Sequence, residues 1–81
     1  MGTLFEGGWA RSIGQDRGRI MRLVKRDART ESWLCQVVDT DTGETLYRTD
    51  IRIDQLMAID SETEPLYVLA LETLAGPYPY T

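Results

Sequence analysis

From Ser32 onward the chain alternates between apolar and polar positions in a pattern that predicts strands. Trp33-Leu34-Cys35-Gln36-Val37-Val38 is rich in aromatic and β-branched residues, which fit a pleated, half-buried surface. The polar run Asp39-Thr40-Asp41-Thr42-Gly43-Glu44 comes next. Asp39 can bond the turn's backbone through its carboxylate, and Gly43 can take the positive φ that closes a short bulged hairpin. Thr45-Leu46-Tyr47-Arg48-Thr49 returns as the partner strand. Asp50-Ile51-Arg52-Ile53-Asp54 then alternates strictly, which puts Ile51 and Ile53 on the core face. A break near Thr49–Asp50 bends or divides this long strand. The first expectation is therefore an antiparallel β-meander turning at Asp39–Gly43.

On either side the pattern is less regular. Residues 1–18 hold five of the seven glycines and read as a Gly-rich N-terminal arm, packed on the body through Phe5 and Trp9. Between Arg17 and Arg29, Ile20, Met21, Leu23 and Val24 fit one helical stripe, with Arg19, Arg22, Arg26 and Arg29 on the opposite one. The same residues also make a strand buried on both faces. The strand is preferred, because Gly18 starts it and the following stretch is β; the meander then covers 19–59. After that the period changes. Ser61-x-x-Glu64 has capping-box spacing, Pro65 falls in the first turn and Gly76-Pro77 supplies a stop, which predicts a helix over 61–75. Tyr67, Ala70, Leu71 and Leu74 share one face of it. A buried strand at Leu66–Leu71 is the competing reading. Residues 76–81 form an extended tail.

Composition excludes more chemistry than it implies. The 81 residues make one domain of ordinary hydrophobicity, with no apolar run near the ~18 needed to span a bilayer. No histidine is present, so there is no imidazole for Ser–His–Asp or Cys–His catalysis. One cysteine rules out an intramolecular disulfide and cannot supply the four ligands of a structural zinc site. Gly14-x-x-x-Gly18 lacks the Gly-Lys-Ser/Thr continuation of a phosphate-cradling loop. The N-terminus has no signal-peptide pattern. A non-enzymatic, cofactor-free, metal-free and non-membrane protein of the reducing cytoplasm is expected.

Charge is distributed unevenly. Residues 1–29 carry seven basic against three acidic side chains, and residues 30–81 carry two against ten. Arg19, Arg22, Lys25, Arg26 and Arg29 are candidate phosphate contacts; the alternative is that they pair with acids on neighbouring strands. Asp50, Asp54, Asp60, Glu62 and Glu64 either mimic a phosphate backbone or dock on a basic protein, or they are a solvated rim and helix N-terminus. Asp39-x-Asp41-x-Gly43 lacks the later ligands of a calcium loop and reads as a turn. Cys35 reads as a small core residue. Tyr78 and Tyr80, alternating with prolines, either pack back on the body or present an extended ligand to a groove.

Trp33-Leu34, Gly43 and Arg52-Ile53-Asp54-Gln55-Leu56 together resemble the latter part of a WYL domain, an Sm/SH3-like small barrel of bacterial regulators that sense nucleotide or nucleic-acid ligands. The resemblance covers residues 33–56. It departs at Leu34, where the family has tyrosine, and in a longer Gly43–Arg52 spacing. The residue pattern predicts a β-rich α+β fold with an antiparallel meander and a C-terminal helix, and the resemblance implies that the meander is an incomplete SH3/Sm-like small barrel. The expected function is a non-catalytic interaction module that binds and regulates a larger protein. Nucleic-acid or nucleotide-phosphate binding through the basic 17–29 stretch is the alternative, and the oligomeric state is left open.

Overall fold

The computed structural model describes residues 3–14 and 17–78. Five strands form one antiparallel sheet: β1 (Trp9–Ser12), β2 (Ile20–Asp27), β3 (Ser32–Val38), β4 (Thr45–Arg52) and β5 (Leu56–Ile59). The order across the sheet is β4-β3-β2-β1-β5, followed in the chain by one helix, α1 (Pro65–Ala75). The β-rich α+β meander and its C-terminal helix are as the pattern predicts, and the basic stretch is a strand. The arm differs from expectation, because its Trp9–Ser12 segment is an inner strand between β2 and β5. The break in the long strand also lies later than expected. β4 runs unbroken to Arg52, and a single 3-10 turn at Ile53–Gln55 leads into β5.

That short turn decides the shape of the sheet. Four interstrand steps of about 4.8 Å would separate β4 from β5 by roughly 19 Å in a flat sheet. A 3-10 turn rising about 2 Å per residue spans only about 8 Å. The sheet must therefore curl, although β4 and β5 are not hydrogen-bonded neighbours and no barrel is closed. Ala10, Met21, Leu23, Trp33, Cys35, Val37 and Leu56 fill the inside of the curl, with Ile51 and Ile53 packed against them. An open cleft of about 390 Å³ remains along the unclosed seam. Met21 and Val37 lie at its base, with Tyr47, Thr49 and Ile51 on one side and Ser12 and Gln55 on the other.

The predicted hairpin forms at the predicted residues. Gly43 N–H donates to Asp39 O at 2.7 Å, Asp39 N–H to Glu44 O at 2.9 Å, and Asp41 N–H to the Asp39 carboxylate at 2.8 Å. Gly43 sits at φ 78°, and a Cβ there would also meet the Leu74 carbonyl and the Ala75 amide at the end of α1. Glycine is required twice over, by the turn and by the helix packed across it.

α1 covers the outer face of the sheet. Leu71 is buried against Trp9, Ile20, Val38 and Ile59, flanked by Tyr67, Val68 and Ala75. The expected helix is corrected at two points. It starts at Pro65, because residues 60–64 form a turn of their own. Glu64 N–H donates to Asp60 O at 3.0 Å, and the Asp60 carboxylate accepts the amides of Glu62 and Thr63, each at 2.9 Å. Those bonds, Thr63's amide first, hold the Asp60 carboxyl below its usual range. Ser61 and Glu64 form no capping box; Glu64 is the N-cap, and its side chain makes no capping bond to the helix. The buried face is also rotated from the expected one, since Ala70 and Leu74 lie outside and Val68 and Ala75 lie inside.

Glu64 instead anchors the helix start to β1. One Arg11 nitrogen lies 2.7 and 2.9 Å from the two Glu64 oxygens, with both side chains about one-third exposed. A double-mutant cycle with Arg11→Met and Glu64→Gln should give a coupling of about 0.5–1 kcal/mol by urea unfolding. A coupling indistinguishable from zero would show that the pair does not hold the helix start.

Candidate functional site

The strand separates the five basic residues of the predicted patch instead of gathering them. Arg19 lies at the start of β2, exposed beside the open seam. Lys25, Arg26 and Arg29 lie at the far end, around the turn into β3, where they border a shallow dip with Asp27, Leu34 and Asp50. Arg29 is highly exposed and approaches Asp27 at 3.9 Å. Six residues of extended chain separate Arg19 from Lys25, about 20 Å at strand rise.

Arg22, in the middle, is a core residue with 5% of its surface exposed. Its guanidinium lies 4.5 Å from the centre of the Trp9 ring and 5.6 Å from that of Tyr78, and it donates to Gly76 O at 3.1 Å. Burial lowers its pKa from the ordinary arginine value, while Glu72 and Tyr78 oppose that shift. Arg22 therefore ties the C-terminal end of α1 to the sheet, at the pole where a cation is favoured by the helix dipole. It offers no surface to a phosphate. Sequence alone could not show this, because a single cation on an otherwise apolar strand face reads the same whether the face is bare or covered.

Tyr78 packs back on the body. Its hydroxyl donates to Val24 O at 2.7 Å, and its ring lies against Gly7. Val24 is the extra residue in a bulge between Leu23 and Lys25, so its carbonyl is out of register with the β3 ladder. The tail satisfies that carbonyl. Burial raises the Tyr78 pKa, with Glu6 adding and Arg22 opposing. Tyr80 lies outside the described residues.

The other candidates serve the scaffold. Cys35 is fully buried in the curl, and its thiol donates to Trp33 O at 3.3 Å. Of the five spaced acids, Asp60 closes its own turn, Glu64 holds Arg11, and Asp54 lies 3.4 Å from Arg52. Among the described residues, no three His, Cys, Asp or Glu side chains gather into a metal-binding group. No helix among them is long and apolar enough to cross a membrane.

What the sequence reading missed is the outward face of α1. Leu66, Leu69 and Leu74 are 80%, 62% and 44% exposed. They sit on a helix whose one charged residue is Glu72. Asp60, Glu62 and Glu64 border the start of this helix, and no basic residue lies within it. The signal was present in the sequence. PLYVLALETLA is apolar nearly all round, more than one buried stripe requires.

Compared with protein-family models, curated proteins and solved structures, the chain matches none. The strand–turn–strand pattern behind the WYL-type resemblance is β3, the 39–44 turn and β4, and Arg52–Leu56 is the 3-10 turn entering β5.

Proposed function

We propose that the protein is a non-catalytic interaction module of the cytoplasm that binds and regulates a larger protein. The observation that carries this reading is the exposed leucines of α1, with Leu66 and Leu69 three apart on its outward face. A monomeric surface seldom leaves large apolar side chains grouped in this way unless they meet a partner. Their acidic surroundings select the chemistry of that partner, an apolar surface bordered by Lys and Arg. The buried thiol and the absence of histidine support a non-enzymatic role. The phosphate-binding alternative retains only Lys25, Arg26 and Arg29 as a group, too few and too close to Asp27 and Asp50 for strong binding.

Capture from host lysate with the wild-type chain and with a Leu66→Asp, Leu69→Asp variant tests the reading. Both leucines are exposed, so the variant should unfold within about 0.5 kcal/mol of wild type. It should lose at least tenfold of the captured partner. Equal capture by both chains removes α1 as the interface, and no stoichiometric partner for either removes the proposal.

A further inference from the structure

The edge of β4 is complementary to itself. β3 and β4 pair in a constant register from Ser32–Arg52 to Val37–Tyr47, and Ile53 N–H continues it by donating to Glu31 O at 2.9 Å. Hydrogen-bonded and non-bonded pairs alternate along an antiparallel ladder. Trp33–Ile51, Cys35–Thr49 and Val37–Tyr47 are therefore the bonded pairs, like Glu31–Ile53. The backbone groups of Arg48, Asp50 and Arg52 face away from β3, toward the outer edge of the sheet.

That parity limits how a second β4 can pair antiparallel with the first. Residues with outward backbone groups must face one another, which leaves three central registers. If Asp50 meets the second copy's Asp50, Arg48 meets its Arg52, and like charges oppose throughout. If Arg48 meets the second copy's Arg48, cations oppose at the dyad and Leu46 meets Asp50. In the third register the two-fold passes through Thr49, so Arg48 meets Asp50 and Asp50 meets Arg48. Tyr47 and Ile51 of each copy also face each other on the other side, an aromatic and β-branched pair. Only this arrangement is complementary in both charge and packing.

We infer that the chain forms a two-fold dimer by pairing β4 with β4 of a second copy, centred on Thr49, so that two five-stranded sheets become one. Roughly four to eight new backbone bonds would join the edges. The interface is isologous, as a two-fold requires. It also covers the edge of an eight-residue strand, which would otherwise be a template for uncontrolled pairing. The exposed side chains of Arg48, Asp50 and Tyr47 lie on this strand, and Tyr47 and Ile51 border the open seam. The leucine face of α1 is not used, so the dimer stands independently of the partner-binding reading.

The experiment is sedimentation equilibrium on the wild type, Arg48→Asp, Asp50→Arg and an equimolar mixture of the two variants, over about 10 µM to 1 mM. Both positions are exposed, and thermal unfolding confirms that each variant is folded. Wild type should dimerise. Each variant alone opposes like charges and should weaken the dimer at least tenfold. In the mixture, the carboxylate introduced in one chain faces the guanidinium introduced in the other. The native Asp50 of the first chain likewise faces the native Arg48 of the second, so a heterodimer should form with roughly wild-type affinity. A wild type that stays monomeric overturns the inference. So do single variants that dimerise as well as wild type, or a mixture that fails to recover.

Discussion

Replacing Arg22 with glutamate should destabilise the fold by several kcal/mol, about 3–5, whereas the same change at Arg26 should cost little. The two residues look alike in sequence, four apart in one basic stretch. Arg22, however, is enclosed by Trp9, Tyr78 and Gly76, and Arg26 is exposed beyond the bulge. A buried carboxylate at position 22 would lose the bond to Gly76 O, face the negative quadrupoles of two rings, and turn attraction to Glu72 into repulsion. An uncompensated buried charge costs about 3–5 kcal/mol. A chain of this size has about 4–12 kcal/mol in total. At about 4–8 °C per kcal/mol, the midpoint should fall by at least about 12 °C. Arg22→Met, apolar and of similar length, should cost much less, because it removes the charge and its desolvation together. Circular-dichroism melts of the three variants decide the matter. An Arg22→Glu melt within about 3 °C of Arg26→Glu would place the guanidinium on the surface after all.

The contrast between those arginines shows where sequence reading stopped. Local chemistry was legible: the Asp39–Gly43 turn, the strands on either side of it, the strand character of Ile20–Val24 and the stop at Gly76 all depend on neighbours within a few residues. Features set by distant chain were not. β1 is four residues in a glycine-rich segment, and it is a strand because β2 and β5 flank it, the latter about fifty residues away. The helix start was misplaced because Asp60, not Ser61, takes the free amides. The helix faces were confused because α1 is apolar on both sides, so periodicity could not say which side meets Trp9 and Ile59. Of the candidate site, the charges were legible as residues but not as a surface, since Arg22 lies under the tail, Leu74 read as part of the packed face, and Leu66 and Leu69 were given no role on the helix.

Above pH 9 the protein should lose stability faster than a Cys35→Ala variant. Cys35 is fully buried, and burial first, with the Asp50 charge second, pushes its thiol up to about 12. In the unfolded chain a cysteine titrates near 8.5. Between those values the unfolded state has released a proton that the folded state still holds. Alkali therefore draws the equilibrium toward unfolding. The contribution of the thiol is fully present below pH 8.5 and is lost as pH rises toward 12, at about 1.4 kcal/mol per pH unit. By pH 11 the loss is roughly 3 kcal/mol, a large share of the total for so small a domain. Cys35→Ala leaves a packing defect whose cost does not depend on pH, and every other alkaline titration, including that of Tyr78, is common to both chains. Urea unfolding at several pH values should thus show the wild-type advantage over the variant shrinking by about 3 kcal/mol between pH 8 and 11. An advantage constant across that range would mean that solvent reaches the thiol without unfolding the sheet. Cys35 would then be a candidate nucleophile between β2 and β4, and the non-catalytic reading would lose one of its supports.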